Sequence, residues 1–371
     1  MIEEICCKKF GIFMKDAILA LEDGTTIEGK GFGKEGISKG ELVFATPYTG
    51  YEEAMTDPSY RGQLLMFTYP LIGNYGISYE HMQSDTIQTD GVVVREVCLD
   101  PNHRNSKTDI ESFLKEHNKR GISEIDTRKL TTRTRRRGTV KASMMVGETD
   151  KEKAIEVAKN LPDITERQLI EKVTTQEPYR MKGDGPRIAL IDTGVKQNIL
   201  NNLKRKGFDL FVYPLNTSPL KVEGCDPDAI FVTNGPGDPK NAENAIEIVQ
   251  HFVGEIPIFG ICFGLQIISL ALGAETYKLK FGHRGANQPV KDHEKDIVYI
   301  TAQNHGFAVD ENSLEDTGLE VIQTNPNDNT VEGVRDDYLD ILTVQYHPEA
   351  CPGPKDVEEK FFGKVRKILE G

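Results

Sequence analysis

The sequence predicts an α/β protein of two domains, in which the C-terminal domain is built on a parallel sheet. Short apolar segments alternate with amphipathic helical segments throughout residues 187–371, which is the pattern of right-handed βαβ units with helices on both faces of a sheet. Residues 14–173 are instead rich in short β-like runs, which predicts a smaller, β-rich mixed α/β domain. Residues 174–186 contain prolines and glycines without periodicity and are predicted to be the linker.

The N-terminal domain is predicted to consist mainly of strands, separated by tight turns such as the Glu-Asp-Gly turn at residues 22–24. The predicted strands are residues 17–22, 25–30, 41–46, 63–69 and 91–97. The predicted helices are residues 109–120, 126–137 and 151–160.

The C-terminal domain is predicted to alternate strands with helices. The predicted strands are residues 187–192, 208–213, 229–233, 256–260 and 341–345. The predicted helices are residues 195–206, 244–252 and 264–273, the first of which is stopped by Gly207. Because ligands bind beyond the carboxyl ends of the strands in such sheets, the residues that follow each strand are candidates for a functional site.

The turn around Cys262 is the strongest functional signal in the chain. The segment G-I-C-F-G at residues 260–264 separates a predicted strand from a predicted helix, which is the arrangement of a nucleophile elbow with sulfur in place of oxygen. The flanking glycines let neighbouring backbone approach closely, and the helix N-terminus favours the reactive thiolate. The alternative is a packed core cysteine, since free cysteine is among the most buried residue types.

A base for this cysteine is available at the end of another predicted strand. His347 follows the strand at residues 341–345, and Glu349 stands two positions further on. A carboxylate there can hold the imidazole ring and favour its protonated form. The sequence His-Pro-Glu alone also suits an ordinary surface turn, but together with the elbow it predicts a triad of Cys262, His347 and Glu349.

A glycine-rich loop follows a third predicted strand. The sequence N-G-P-G-D-P at residues 234–239 comes directly after the strand at residues 229–233, and a plain turn is the alternative interpretation. Acyl transfer needs N–H donors that are aimed at the developing oxyanion. The predicted donors are the backbone N–H groups of Gly235 and of Phe263, the residue after the nucleophile.

Composition restricts the class of protein. The chain has 28% charged and 38% hydrophobic residues, which is typical of a soluble globular protein. No apolar run approaches the roughly 20 residues that span a bilayer, and the N-terminus lacks the apolar region of a secretory signal. The six cysteines lack metal-ligand spacing and are expected to be reduced thiols of a cytoplasmic protein without a metal site. The formal net charge of −13 argues against a nucleic-acid partner.

Three of these segments resemble the class I glutamine amidotransferases, which hydrolyse glutamine through a cysteine thioester. They are G-I-C-F-G-L-Q, T-N-G-P-G-D-P and Q-Y-H-P-E, in this order, and this resemblance covers residues 187–371. It implies that the C-terminal domain is a class I amidotransferase domain with a parallel sheet.

The remaining segments resemble the small-subunit family of carbamoyl-phosphate synthases over nearly the whole chain. The segments in the first half are G-E-L-V-F (40–44), T-G-Y-E-E (49–53), T-D-P-S-Y (56–60), F-T-Y-P (67–70), G-N-Y-G (73–76) and I-D-T-R-K-L (125–130). The segments in the second half are Q-N-H-G-F (303–307) and P-E-A-C-P-G-P (348–354).

This resemblance implies a role for each matching residue. Cys262 is expected to be the nucleophile, His347 the base and Glu349 the group that orients the base. The residues expected to bind L-glutamine are Gly235, Gly237, Phe263, Gln266, Asn304, Gly306 and Phe307. The amide groups of Gln266 and Asn304 offer both donors and acceptors to the α-amino and α-carboxylate groups of glutamine.

The resemblance also implies a glutaminase subunit that delivers ammonia to a large synthetase subunit, its obligate partner. That partner is expected to form carbamoyl phosphate from bicarbonate and ATP for arginine and pyrimidine synthesis. No G-x-x-x-x-G-K-[ST] loop is present, so no cofactor is expected on this chain, and ATP and a divalent metal are expected on the large subunit. The alternatives are a regulatory subunit with weak or no glutaminase turnover, an amidotransferase of guanine nucleotide or anthranilate synthesis, and a stand-alone cysteine hydrolase.

Three features depart from the family pattern or add to it. Pro47 occupies a position where the family commonly has a serine that contacts glutamine, and proline cannot donate a hydrogen bond. Residues 1–13 precede the typical start of the family, so we expect an N-terminal extension or a misassigned start. The basic run at residues 128–137 is either a solvated helix face or a docking surface for an acidic region of the partner.

Overall fold

The computed structural model describes residues 14–370, so the expectation for residues 1–13 lies outside the described part of the chain. Two compact units are present, and both are discontinuous in sequence. The described part of the first unit comprises residues 14–44, Gln63–Glu80 and Thr89–Leu161. The second unit comprises Ala45–Gly62, His81–Gln88 and the residues from Pro162 onward. The predicted continuous boundaries, 14–173 and 187–371 with a linker at 174–186, stay predictions.

The described residues form nineteen strands and nine α-helices. The strands are β1 (Lys15–Leu21), β2 (Thr26–Gly33), β3 (Gly36–Ala45), β4 (Gln63–Phe67), β5 (Leu71–Ile72), β6 (Gly91–Val93), β7 (Glu96–Val97), β8 (Arg120–Ser123), β9 (Val140–Val146), β10 (Tyr179–Met181), β11 (Arg187–Asp192), β12 (Asp209–Pro214), β13 (Ala229–Val232), β14 (Ile258–Ile261), β15 (Thr276–Asp292), β16 (Ile297–Val309), β17 (Glu320–Thr324), β18 (Val331–Asp336) and β19 (Ile341–Val344). The helices are α1 (Tyr51–Thr56), α2 (Ile110–Glu116), α3 (Thr127–Arg137), α4 (Lys151–Lys159), α5 (Gln197–Arg205), α6 (Pro219–Glu223), α7 (Glu243–Phe252), α8 (Phe263–Ala271) and α9 (Glu358–Glu370).

The first unit is built on a closed barrel in the order β1-β2-β8-β6-β4-β3-β9. Helix α4 covers one face of strand β1, where Ile18 and Ala20 pack in one cluster with Ala154 of the helix. Strand β1 is therefore apolar on both faces. The predicted strand at residues 91–97 is divided into β6 and β7. The β-rich mixed character that was predicted for this half of the chain is confirmed.

The second unit contains a ten-stranded sheet in the order β10-β12-β11-β13-β14-β19-β18-β17-β15-β16. The five strands from β12 to β19 in this order are parallel to their neighbours, which confirms the predicted parallel sheet. The strands β18, β17, β15 and β16 extend it with antiparallel pairing that the sequence did not predict. Strand β10, inside the predicted linker, pairs antiparallel with β12 at the opposite edge.

Helices cover both faces of the parallel strands, and successive residues of each strand point to opposite faces. On one face Ile230 of β13 packs in a cluster with Ile248 of α7 and Ile268 of α8. On the other face Phe231, the next residue, packs in a cluster with helix α5 and with Phe362 of α9. This two-sided burial explains why the strands are continuous apolar runs. None of the helices within residues 14–370 is long and apolar enough to cross a membrane.

Candidate active site

Cys262 lies at the predicted turn between β14 and α8. Its backbone φ of 56° falls in the left-handed region that non-glycine residues seldom adopt. Its N–H donates to the carbonyl oxygen of Val344 at 2.7 Å, which holds the turn against the end of β19. The side chain is 2% exposed, and Sγ lies 3.7 Å from the carbonyl oxygen of Asn304.

The two glycines of the elbow are required because neighbouring backbone leaves no room for a side chain at either position. A Cβ on Gly264 would lie 2.2 Å from the carbonyl oxygen of Val232. A Cβ on Gly260 would lie 2.7 Å from the backbone of Gly264, where strand and helix cross closely. These contacts are shorter than any side chain tolerates, so only glycine at both positions allows the sharp turn at Cys262.

His347 and Glu349 follow β19, the parallel neighbour of β14. His347 Nδ1 and Glu349 Oε1 are 2.7 Å apart, and both side chains are buried. Burial alone would lower the pKa of His347, but the Glu349 carboxylate and Cys262 outweigh it and raise the pKa to about 10. Burial raises the pKa of Glu349, yet Lys196 and His347 outweigh it and lower the pKa to about 2. The two groups therefore form an imidazolium–carboxylate pair at neutral pH.

The second ring nitrogen of His347 is available for chemistry. Nε2 is buried and makes no hydrogen bond to any residue between 14 and 370, while Cys262 lies near enough to raise the pKa of the ring. The structure thus brings the three predicted triad residues together at the carboxyl ends of two adjacent strands. Their catalytic roles stay predictions.

The glycine-rich loop follows β13, the other neighbour of β14. Gly237 adopts a φ of 86°, and Gly235 lies against Thr193 and the Phe263 ring. Neither the Gly235 amide nor the Phe263 amide donates a hydrogen bond within residues 14–370. Both amides are therefore available for an oxyanion at the N-terminus of α8.

The other residues predicted to bind glutamine lie on α8 and β16. Gln266 donates from Nε2 to the carbonyl oxygen of Phe307 at 2.8 Å and to Gln345 Oε1 at 3.0 Å. Asn304 donates from Nδ2 to Asp57 Oδ2 at 2.9 Å, whereas its Oδ1 is buried without a partner among the described residues. Gly306 also lies in β16, directly before Phe307. The arrangement leaves Asn304 Oδ1 as a ready acceptor for an ammonium group.

Two residues of the segment at 56–60 belong to this site, although neither was predicted individually from the sequence. The Asp57 side chain caps the turn Pro58–Tyr60 and accepts a hydrogen bond from Asn304 Nδ2. Ser59 is buried and its Oγ accepts from Asn234 Nδ2 at 2.9 Å, which puts a serine hydroxyl beside the glycine-rich loop. The sequence feature that could have indicated Asp57 and Ser59 is the resemblance of residues 56–60 to the small-subunit family.

Pro47 lines a small cavity of about 30 Å³ together with Asp57, Lys196, Asn304 and His347. The structure therefore brings Pro47 near the triad, and its predicted contact with glutamine stays a prediction. Lys196 was also missed from the sequence, although it stands just beyond the end of β11, where site residues are expected.

Two clusters within residues 14–370 have ligand-type atoms close enough to share a metal ion, namely His283 with His305 and Glu332, and Glu52 with Glu53 and His81. The members of the first cluster lie on β15, β16 and β18. His283 Nε2 is 2.8 Å from Asp328 Oδ2, and its Nδ1 is 3.7 Å from Glu332 Oε1. Burial lowers the pKa of His283, but the two carboxylates outweigh it and raise the pKa to about 9. The two acidic groups thus favour an imidazolium at His283, while His283 Nδ1 and Glu332 Oε1 make no hydrogen bond within residues 14–370.

We expect the protonation of His283 to stabilise the fold. Because its pKa is raised in the folded state, the stabilisation is full below the unfolded value of about 6.5 and is lost as the pH rises through about 9. The free energy of unfolding should therefore fall by about 1–3 kcal/mol between pH 6.5 and 9.5. Denaturant unfolding at several pH values measures this, and His283→Gln should flatten the profile in this window. The same change at exposed His103 serves as the control, and an unaltered profile in His283→Gln contradicts the prediction.

Comparisons with known proteins agree with the geometry. The family model described as carbamoyl-phosphate synthase small chain, CPSase domain, matches residues 19–144, and that of glutamine amidotransferase class-I matches residues 189–365. The carbamoyl phosphate synthase small chain of Methanosarcina acetivorans is 56% identical over 96% of this chain and 99% of its own length. The small chain of Archaeoglobus fulgidus is 48% identical over 95% of this chain and 99% of its own length. The small chain of Bacillus cereus is 44% identical over 92% of this chain and 93% of its own length. A glutamine amidotransferase structure from Thermotoga maritima covers 50% of this chain and 84% of its own at 15% identity, with a TM-score of 0.37, too low to add to the assignment.

Proposed function

This chain belongs to the carbamoyl phosphate synthase small-chain family, and from that premise we propose how its residues release ammonia from glutamine. With a class-I glutamine amidotransferase domain, it is the glutaminase subunit of such a synthase. The observation that supports the proposed site best is the meeting of the Cys262 elbow with the His347–Glu349 pair at adjacent strand ends.

The first half of the proposed reaction forms a thioester. The imidazolium of His347 stabilises a thiolate on Cys262 by charge attraction. The thiolate attacks the side-chain amide carbon of glutamine, and the amides of Gly235 and Phe263 donate to the oxyanion that develops. His347 then gives its proton to the amide nitrogen as the C–N bond breaks, so ammonia leaves and Cys262 holds a glutamyl thioester.

The second half returns the site to its starting state. The now neutral His347 takes a proton from water, and the hydroxide that forms attacks the thioester carbon. Glutamate leaves when the C–S bond breaks, and Cys262 is again a thiolate beside an imidazolium. Glu349 stabilises the positive ring in both halves and keeps Nε2 directed at the reacting atoms.

We propose that L-glutamine is bound by Gly235, Gly237, Phe263, Gln266, Asn304, Gly306 and Phe307. The unpaired Oδ1 of Asn304 supports a contact with the α-amino group. Pro47, in the wall of the small cavity, cannot donate a hydrogen bond to the substrate, because its ring nitrogen carries no hydrogen. The nearby Ser59 hydroxyl is an alternative partner for the substrate.

We further propose an obligate large subunit, in the cytoplasm, that binds ATP and a divalent metal and makes carbamoyl phosphate for arginine and pyrimidine synthesis. Ammonia is protonated in neutral water, so productive transfer needs an enclosed path to that partner. The basic run lies on α3, where Arg128, Lys129, Arg136 and Arg137 line an open groove. Positive charge there suits an acidic surface of the partner.

Reconstitution tests this function. The chain is purified with a candidate large subunit, and carbamoyl phosphate is measured with bicarbonate, Mg-ATP and either glutamine or ammonia. Both nitrogen sources should support synthesis by the complex, whereas the large subunit alone should use ammonia only. A complex that uses ammonia but never glutamine would instead support the alternative of a regulatory subunit without turnover.

A further inference from the structure

The buried cluster of His283, His305 and Glu332 is not used in the proposed reaction. His283 and His305 are direct partners in the pairing of β15 with β16, and Glu332 comes from β18. Each of the three is at most 8% exposed, and one ligand-type atom from each lies within 4.8 Å of the others. Buried polar atoms are normally hydrogen-bonded, so those that are not call for an explanation.

Two atoms of the cluster, His283 Nδ1 and Glu332 Oε1, have no hydrogen bond to any residue from 14 to 370. They lie 3.7 Å apart, which is too long for a hydrogen bond between them. Two ligands that each lie about 2.1 Å from a tetrahedral zinc ion are about 3.4 Å apart. The separation of the two atoms therefore suits ligands of a common ion.

The other ring nitrogen of His283 is held by a carboxylate. Nε2 lies 2.8 Å from Asp328 Oδ2, and because a carboxylate can only accept, the hydrogen belongs to Nε2. In the neutral ring this leaves the lone pair on Nδ1, the nitrogen nearer to Glu332 Oε1. A histidine that binds a metal almost always donates its second N–H to a carboxylate or a carbonyl oxygen, as here.

His305 shows the same arrangement, together with a conflict that a cation would remove. Nδ1 lies 2.9 Å from the carbonyl oxygen of Phe307, which can only accept, so Nδ1 carries the hydrogen. Burial and the charge of His283 hold the pKa of His305 well below its ordinary value, so the ring is neutral and Nε2 has a lone pair. That lone pair faces a second acceptor, Gln303 Oε1, at 3.2 Å. The Gln303 amide is fixed in this orientation because its Nε2 donates to Glu332 Oε2 at 2.9 Å.

We propose that this cluster is a structural site for one divalent transition-metal ion of the zinc type. The ligand atoms are His283 Nδ1, His305 Nε2 and Glu332 Oε1. Gln303 Oε1 offers a fourth ligand beside Nε2. Two imidazoles with a carboxylate suit zinc and related ions, whereas magnesium and calcium prefer oxygen ligands alone. Since the ligands are buried, the ion serves to hold the strands together and not to bind a substrate.

The ion would act where two strands need a fixed register. The pairing of β15 with β16 shifts after Lys278 and resumes at the pair of His283 with His305. An ion bound by both histidines and by Glu332 of β18 fixes the register there, on the strand that also carries residues of the proposed glutamine site. The sequence did not predict this site, because its ligands come from three strands and not from one local motif.

The charges around the cluster suit a divalent ion. Ion binding displaces the proton from Nδ1 of His283, and the carboxylates of Asp328 and Glu332 then balance the two positive charges of the ion. Arg284 and His347 also act electrostatically on His305, so both carboxylates are needed. The pH dependence of unfolding that is expected from His283 accordingly applies to the metal-free protein.

Zinc binding to the full chain tests the proposal without any glutamine turnover. The chain is purified without an affinity tag, stripped with a chelator and titrated with zinc chloride by calorimetry. Zinc should bind at this site in the Cys262→Ser variant as in the wild type, because that change removes only the thiol of the proposed triad as a competing ligand. Saturating zinc should raise the melting temperature, whereas magnesium or calcium chloride should leave it unchanged.

Two variants assign the zinc to this cluster. Asp328→Asn keeps every ligand but removes the charge that holds His283 Nε2, and it should weaken zinc binding by about 10- to 100-fold, the usual cost of losing such a partner. Glu332→Gln removes a ligand and should weaken binding by more than about 100-fold. The matched control is Asp316→Asn at an exposed aspartate of the same unit, which should bind zinc like the wild type.

Cobalt in place of zinc identifies the ligands by absorption and decides the matter even if Glu332→Gln fails to fold. The cobalt-loaded chain should show d–d bands without a thiolate charge-transfer band, because no ligand is sulfur. A wild-type chain that binds no zinc, a thiolate band at the tightest site, or unchanged zinc affinity in Asp328→Asn, which alters an exposed residue, would each overturn the proposal. An inactive synthase complex would refute the proposed glutaminase function and leave these binding results as they are.

Discussion

Cys262→Ser is expected to lower glutamine hydrolysis by several orders of magnitude and to leave ammonia-dependent carbamoyl phosphate synthesis by the complex intact. A serine hydroxyl is not ionised at neutral pH, whereas the cysteine can form a thiolate beside the His347 imidazolium. The replacement is almost isosteric, so the elbow with its φ of 56° should keep its shape. Glutamate release from glutamine and ammonia-dependent synthesis by the same preparation are the two measurements.

Cys98→Ser is the matched control for this result. Cys98 is a free, half-buried thiol whose Sγ donates to the carbonyl oxygen of Asp100 in the first unit. Its replacement should leave glutamine hydrolysis near the wild-type rate. If Cys262→Ser retained full glutaminase activity, the proposed nucleophile would be wrong.

His347→Asn is expected to lower kcat for glutamine hydrolysis by about 10²–10⁴-fold, the usual contribution of general acid–base catalysis. Asparagine can accept or donate a hydrogen bond at the position of Nδ1 but cannot carry a proton from water to ammonia. Glu349 would remain paired with Lys196, so the turn after β19 should keep its structure. Steady-state kinetics measure the loss of kcat, and the melting temperature of the variant checks that its structure is kept.

The control for this variant is His293→Asn at an exposed histidine of the same unit, which bonds Thr324 Oγ1. It should show wild-type kinetics. Activity within about 10-fold of wild type in His347→Asn would mean that another group transfers the proton, since the acid–base contribution is larger than that.

Much of the site could be predicted because its parts follow strands in the chain. The glycines around Cys262, the loop after β13 and the His-Pro-Glu after β19 are local patterns, and the end of a parallel strand is a known place for such residues. The structure shows that β13, β14 and β19 are neighbours, an order that was not predicted. The adjacency itself could be inferred only through the family resemblance.

The antiparallel part of the sheet could not be predicted in the same way. The hairpin of β15 and β16 carries Asn304, Gly306 and Phe307, yet its residues alternate irregularly and its register shifts twice along its length. The barrel order of the first unit likewise depends on pairings between distant strands. Such pairings are chosen by the packing of whole elements, which a local pattern does not express.

The sequence by itself determined the parts of the proposed site that depend on residue type and local backbone, namely a thiol on a glycine-flanked turn, an imidazole and carboxylate two residues apart, and a glycine-rich loop. Only the tertiary structure decided which charges surround them. Lys196 meets Glu349, and Asp57 meets Asn304, although each pair is far apart in the chain. The strength of a buried charge pair depends on distance and on exclusion of water, and both are properties of the folded packing.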